Sequence, residues 1–206
     1  MIYLSVIPFL SYWLAVGFCS LLNSSKKGTF EETFNTVSRT KVFWSVLSLT
    51  FSATIGNCLL LYFNIISLNK LRWFYILIGI WWIDTIEYAT HYAMHKIPFL
   101  YQNFHKEHHR LHNTYSYGAL YNNNLEATLT SGMMVFGFYL MNISFLEFII
   151  VTSLANIATV LDHSSELLTY KKGFHHLHHS KFQRSNYQQP FFTYYDRIFG
   201  TYKVES

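Results

Sequence analysis

The sequence predicts an all-α fold, an integral membrane helical bundle of about four or five apolar helices carrying a histidine-rich cytosolic cap. Three observations carry this expectation. Of 206 residues, 51% are hydrophobic and 19% aromatic, while 13% are charged, about half the charged share of a soluble globular chain. Long charge-free runs occupy much of the first 83 residues and the stretch after Glu126. All eleven histidines fall between residues 91 and 179. The length suits one domain or a tight pair. Mean hydropathy is only +0.16, because polar segments separate the apolar runs. A net charge of +4 without any dense basic run argues for membrane sidedness and against nucleic acid as a partner. Two cysteines, Cys19 and Cys58, both inside apolar runs, exclude a disulfide framework and a thiolate metal cluster.

Residues 1–25 carry no charge and are apolar to about Leu22, long enough for one bilayer crossing at roughly 20 residues each. No basic stretch precedes the apolar run and no Ala-x-Ala-like cleavage site follows it, so a retained first helix is expected rather than a cleaved signal. A polar connector follows, with Lys26, Lys27, Glu31, Glu32, Arg39 and Lys41. Val42 to Asn69 is a charge-free run of 28 residues that reads as a second span with room to tilt. After Lys70-Leu-Arg72 comes a third span from Trp73 to about His95, ended near Pro98, because the residue before a proline is steered away from helix. The block 127–161 reads as a helical hairpin with its tip near Asn142. From Asp162 onward no span is credible, and the chain is expected to pack at the membrane surface. The division expected is an N-terminal transmembrane region, 1–72, and a di-metal catalytic region, 73–206.

Thirteen basic residues fall on one side of these spans and two, Lys70 and Arg72, on the other. The positive-inside rule places the 26–41 loop, the 96–126 segment and the C-terminal tail in the cytosol, of either a bacterial inner membrane or an endoplasmic reticulum.

Spacing gives the histidines their meaning. His91-Tyr-Ala-Met-His95 puts two imidazoles one turn apart on one helical face, a bidentate metal arrangement. His105-Lys-Glu-His108-His109 places three more at i, i+3 and i+4, with His112 extending the stripe as an additional candidate ligand. His175-His176-Leu-His178-His179 repeats the H-x-x-H-H spacing, and His163 ends the last span. Protonated neighbours would repel, whereas metals gather neutral imidazoles. Nine spaced histidines exceed the four ligands of a structural zinc site, so two metals are expected. Imidazole suits iron, zinc, copper or nickel and does not choose the element. A zincin would need Glu after the first histidine, where Tyr92 and Lys106 stand. Paired E-x-x-H helices of soluble di-iron bundles are absent. Asp84 and Glu87 share the His91 face, and a ligating imidazole usually gives its outer N–H to a carboxylate or carbonyl, which makes Glu87 the expected outer partner on this helix, with Asp84 in the same network or bound to a basic group of a neighbouring helix. A competing class is a histidine-rich membrane metal transporter or metal-binding protein; transporters, however, spread ionisable residues across the midplane. A bis-histidine haem protein would leave most of the histidines unexplained.

The run HYAMHKIPFLYQNFHKEHH, the later FHHLHHS and the closing NYQQPFFTYYDRIFGTY resemble the fatty acid hydroxylase / sterol desaturase superfamily of integral-membrane di-iron oxygenases, over roughly residues 84–202. By that resemblance the metal ligands fall on His91, His95, His105, His108, His109, His163, His175, His178 and His179. Asp84 and Tyr88 match an Asp and Tyr ahead of the first box, and Asp196, Arg197, Gly200 and Thr201 match the terminal motif, with Asp196 a further expected residue behind the ligands. Tyr92, Asn123, Asn124 and Gln188 depart from common family residues without removing a ligand. The resemblance implies two iron ions and O2 acting on an unactivated C–H bond of a fatty acyl or sterol-like lipid drawn from the bilayer, to hydroxylate or desaturate it. With no G-x-G-x-x-G and no cysteine cluster in the chain, electrons are expected from an external b-type cytochrome, ferredoxin or reductase.

Overall fold

The computed structural model describes residues 2–24, 35–68, 70–164, 174–181, 183–188 and 190–204; Lys26, Lys27, Glu31 and Glu32 of the connector lie outside these. Five long helices dominate: α1 (Ile7–Ser24, after a 3-10 turn at Ile2–Val6), α2 (Arg39–Tyr62), α3 (Trp73–Lys96), α5 (Asn124–Leu140) and α6 (Phe145–His163). Short helices α4 (Pro98–Asn103), α7 (Phe174–Ser180) and α8 (Tyr194–Ile198), with 3-10 segments at His105–Arg110 and Ser116–Gly118, build the cap. The described residues contain no strand. Ile2–Leu22, Arg39–Tyr62 and Phe145–His163 are long and apolar enough to cross a membrane. Leu14, Phe18, Trp44, Phe51, Leu77, Trp81, Phe136 and Leu140 project outward. Such continuous exposed apolar surface suits lipid and not water. The protein is an all-α integral membrane bundle.

The hairpin tip lies where the sequence places it. α5 stops at Leu140, Asn142 takes a positive φ of 54°, and Ser144 caps α6 in a capping box with Glu147. Glu147 has no exposed side chain and pairs with Arg72 at 2.8 Å, while Arg72 also reaches the Asn142 carbonyl at 2.6 Å. This knot closes the end of the bundle away from the histidines. The second span is shorter than its charge-free run. α2 ends at Tyr62, Asn64 turns at φ 52°, Ile66 is buried, and the Ser67 carbonyl accepts from the Phe145 amide at 2.7 Å. An apolar loop tucked against the bundle looks like helix in sequence.

α3 is held close to both hairpin helices. A Cβ on Gly79 would sit 2.9 Å from a Val151 methyl of α6, and one on Gly137 of α5 would lie 2.0 Å from the Trp82 indole. Glycine lets Trp82 lie on the α5 backbone, where its Nε1 donates to the Met134 carbonyl at 3.2 Å. One apolar cluster joins α1, α2 and the cap through Tyr12, Val46, Leu111, Tyr121 and Val160. The other joins α3, α5 and α6 through Ile83, Phe138, Phe148 and Val151. The first region thus packs directly beneath the cap: α1 lies along α6, and the Tyr12 hydroxyl donates to the Tyr117 carbonyl at 2.9 Å.

Candidate metal centre

The cap gathers nine histidines into two groups whose ligand nitrogens lie within 4.8 Å of one another: His91, His95, His105, His109 and His178 in one, His108, His163, His175 and His179 in the other. Eight of the nine are buried and His95 is half-buried. Each H-x-x-H-H box is divided. From the 3-10 segment, His105 and His109 enter the first group while His108 enters the second. From α7, His175 and His179 enter the second while His178 crosses to the first. The i, i+4 pair of each box serves one group and the residue between serves the other. The segment 105–110 achieves this as a 3-10 helix where the spacing alone implied an α-helix. His112 belongs to neither group. His176 is also outside both, within 3.1 Å of the Thr114 hydroxyl.

Outer hydrogen bonds set the rings. Nδ1–H of His91 donates to the Tyr187 carbonyl (2.8 Å), His108 to Tyr121 (2.8 Å), His163 to Thr159 (2.8 Å) and His178 to Ser185 (2.6 Å). A carbonyl only accepts, so each of these rings carries its proton on Nδ1 and offers a lone pair at Nε2. His105 Nδ1 instead meets the Glu126 carboxylate at 2.7 Å. Inside, Nε2 of His109 stands 2.9 Å from that of His95, 3.1 Å from that of His105 and 3.2 Å from that of His178. His175 and His179 approach Nε2 to Nε2 at 3.1 Å. One N–H cannot satisfy three converging acceptors. A cation can, since metal–nitrogen bonds of about 2.1 Å put cis ligand nitrogens about 3.0 to 3.4 Å apart.

Protonation states fit as well. Burial and the neighbouring rings hold His105, His109, His175, His178 and His179 well below the ordinary imidazole range, and burial brings His108 to about 4. The rings are neutral ligands at physiological pH. Glu126 is pushed up to about 8 by burial and by Glu87 nearby.

A strap from the C-terminal segment supplies two of the carbonyls. Asp196, fully buried, accepts from the Tyr187 amide (3.0 Å), the Gln188 amide (2.7 Å) and the Thr201 hydroxyl (2.6 Å). Asp84 accepts from Gln188 Nε2 (3.1 Å) and the amides of Phe191 (3.0 Å) and Phe192 (2.8 Å). Gly200 makes the turn between Asp196 and Thr201 at φ 67°. Tyr88 stacks against Tyr195 and Phe199, tying α3 to the same segment.

A fatty acid hydroxylase family model matches residues 76–201. The chain belongs to the fatty acid hydroxylase family. It is thereby an oxygenase-type oxidoreductase. It is 33% identical over 225 residues to sphinganine C4-monooxygenase 2 of Arabidopsis thaliana, covering 95% of this chain and 85% of that one. It is 35% identical to the sphingolipid C4-hydroxylase SUR2 of Saccharomyces cerevisiae, over 61% of this chain and 39% of that one. A very-long-chain aldehyde decarbonylase of Oryza sativa subsp. indica is 34% identical over 63% of this chain and 54% of its own length. The chain therefore spans most of the first relative and about half or less of the other two. No solved structure matches it.

Within this hydroxylase, one sequence expectation is corrected. The outer nitrogen of His91 is taken by the Tyr187 carbonyl and not by Glu87; the carboxylate with that role is Glu126, on His105. Asp84 and Asp196 hold the strap, not a ligand ring. Sequence reading overlooked Glu126, whose one signal was an acidic residue opening an apolar block. It also overlooked Tyr121, whose carbonyl orients His108 while its hydroxyl donates to Glu107. Lys41 at 2.9 Å and Arg110 also donate to Glu107. These donors outweigh burial and hold its carboxyl down to about 2.

Proposed function

We propose that the chain is a di-iron, O2-dependent hydroxylase of a long-chain lipid, oriented with its histidine cap and C-terminus in the cytosol and served by an external electron donor such as a b-type cytochrome, ferredoxin or reductase. The observation that carries this reading is the convergence of nine imidazoles, four with carbonyl-fixed outer nitrogens and a fifth fixed by a carboxylate, on two points within one buried cap. His91, His95, His105, His109 and His178 would hold one ion; His108, His163, His175 and His179 the other. Bound iron, with dioxygen and two electrons, supplies an oxidant able to replace an unactivated C–H by C–OH. Relatives named as a sphinganine monooxygenase and a sphingolipid hydroxylase favour hydroxylation over desaturation and a sphingoid-type lipid over a free sterol.

The chain's own residues do the remaining work. The carbonyls of Tyr121, Thr159, Ser185 and Tyr187 hold four of the nine rings, two in each group, in one tautomer and one orientation, which limits reorganisation of the metal sites during reaction. Burial excludes water from the cap. The outward apolar faces of α2, α3 and α5 leave the bundle open to acyl chains, and ligand sites are largely apolar with a few polar groups.

The test is lipid profiling of aerobic cells with and without the gene. The expected result is a new hydroxylated long-chain lipid, lost with His178→Ala. No oxygenated lipid, or an unsaturated product alone, would overturn the proposal.

A further inference from the structure

Buried polar groups are almost always paired, yet two side chains beside the five-histidine group carry unpaired oxygens. Glu126 is only 6% exposed; its Oε1 meets His105, and its Oε2 has no hydrogen-bond partner. The Tyr187 hydroxyl, in a residue with no exposed surface, likewise has none, and its ring lies 5.3 to 5.6 Å from those of His91, His95 and His178. Among the described residues the Glu87 carboxylate has neither a hydrogen bond nor an ion pair.

The two carboxylates flank the same pair of rings. Glu87 lies about one turn before His91 on α3, Glu126 bonds His105 from the start of α5, and the His91 and His105 rings are 4.7 Å apart. Without a cation beside them, burial and repulsion from Glu87 push the Glu126 carboxyl up, and a cation held between the two relieves that repulsion. The described basic side chains that pair with carboxylates are engaged elsewhere: Lys41 and Arg110 with Glu107, Arg72 with Glu147.

We propose that Glu87 and Glu126 bind the ammonium head of a long-chain amine beside the five-histidine group, fixing oxidation a few carbons from the head. This rests on the lipid hydroxylase reading and names its substrate class. An ammonium brought beneath the cap, on the bilayer side, needs such counter-charge, because an uncompensated ion there is costly. The same pair repels a fatty acid carboxylate, which gives specificity by rejection. The reach agrees. From a carboxylate across one hydrogen bond and one imidazole to its inner nitrogen is about 5 Å. From a carboxylate across an ammonium contact of about 2.8 Å and three bonds of lipid is about 7 Å. The first carbon beyond the amine-bearing carbon, about 5 Å out, therefore comes level with the inner nitrogens, the second lies about 2 Å past them toward the centre of the group, and mid-chain carbons lie far beyond. The Tyr187 hydroxyl is left to bond a polar group on the same head.

The test measures binding to the full, iron-loaded chain in detergent without oxygen, so that nothing turns over, using sphinganine, N-acetylsphinganine and stearate. Wild type is expected to bind sphinganine at least tenfold more tightly than N-acetylsphinganine and stearate weakest. Glu87→Gln is expected to erase the preference for the amine while its iron content stays that of wild type. Glu126→Gln, whose amide oxygen still accepts from His105, should reduce the preference too. Equal binding of sphinganine and its N-acetyl form by wild type overturns the proposal, as does an undiminished preference in Glu87→Gln. Should that variant fail to fold, the wild-type comparison decides alone. A hydroxylated lipid in cells without amine preference in vitro removes only the head-group assignment. No hydroxylated lipid at all removes the hydroxylase reading.

Discussion

Asp196→Ala tests how far the metal centre depends on a residue that touches none of its ligands. Asp196 accepts from two backbone amides and one hydroxyl at 2.6 to 3.0 Å in a site without solvent. Alanine leaves two buried N–H groups without acceptors, and at about 1–3 kcal/mol each the loss is about 2–6 kcal/mol. In a chain of 206 residues that lowers Tm by roughly 4 to 24 °C, taking about 2–4 °C per kcal/mol. The released residues include Tyr187 and, close by, Ser185, whose carbonyls orient His91 and His178. Both rings belong to the five-histidine group, and loss of such outer partners typically costs about 10- to 100-fold in metal affinity. Thermal unfolding in detergent and elemental analysis after a graded chelator challenge should therefore show a lower Tm and preferential loss of one of two ions. A variant that unfolds within about 2 °C of wild type and keeps both ions under the same challenge would refute the reasoning.

Purified anaerobically with iron supplied, wild type should hold close to two ions; His178→Ala should hold fewer and be inactive, whereas His176→Ala should retain both, as read by elemental analysis. Arg72→Ala removes the guanidinium from the buried Glu147 carboxylate but leaves it the Arg72 and Ser144 amides, and should cost about 1.5–3 kcal/mol; the double variant with Glu147→Gln should recover part of it in the same unfolding assay. A reporter fused after Ser206 should be active only in the cytosol, and external activity would reverse the assigned orientation.

Periodic features were legible in the sequence because their cause is local. The i, i+4 pair His91/His95 and both H-x-x-H-H boxes needed only helical geometry, and the hairpin tip at Asn142 was marked by a break in an apolar run. Features built from backbone were not legible. The acceptor for His91 is a carbonyl 96 residues away, and every residue type carries a carbonyl, so no residue choice announces it. The nearest visible carboxylate, Glu87, filled that gap in the sequence reading for want of anything better placed. The premature end of α2 was hidden for a related reason. Lipid-facing helix and a buried apolar loop ask for the same residues, and only a turn such as that at Asn64 separates them. The 3-10 form of 105–110 shares its residue spacing with an α-turn, so the sorting of each box into two groups appeared only with the packing of α7 against the end of α6.

The strap has a consequence for biosynthesis. Its carbonyls, and the Asp196 side chain that accepts from the amides of residues 187 and 188, come after all nine histidines in the chain. While the protein is being made, the nine imidazoles emerge first, and the acceptors that lock His91 and His178 emerge after them. A nascent chain arrested just past His179 would own every presumed ligand and still lack a rigid centre. Iron captured at that moment would sit in a loose, solvent-open site, the setting in which oxygen damages a protein instead of its substrate. Formation of the 185–188 turn on Asp196, and not the arrival of the last histidine, is then what makes the centre rigid.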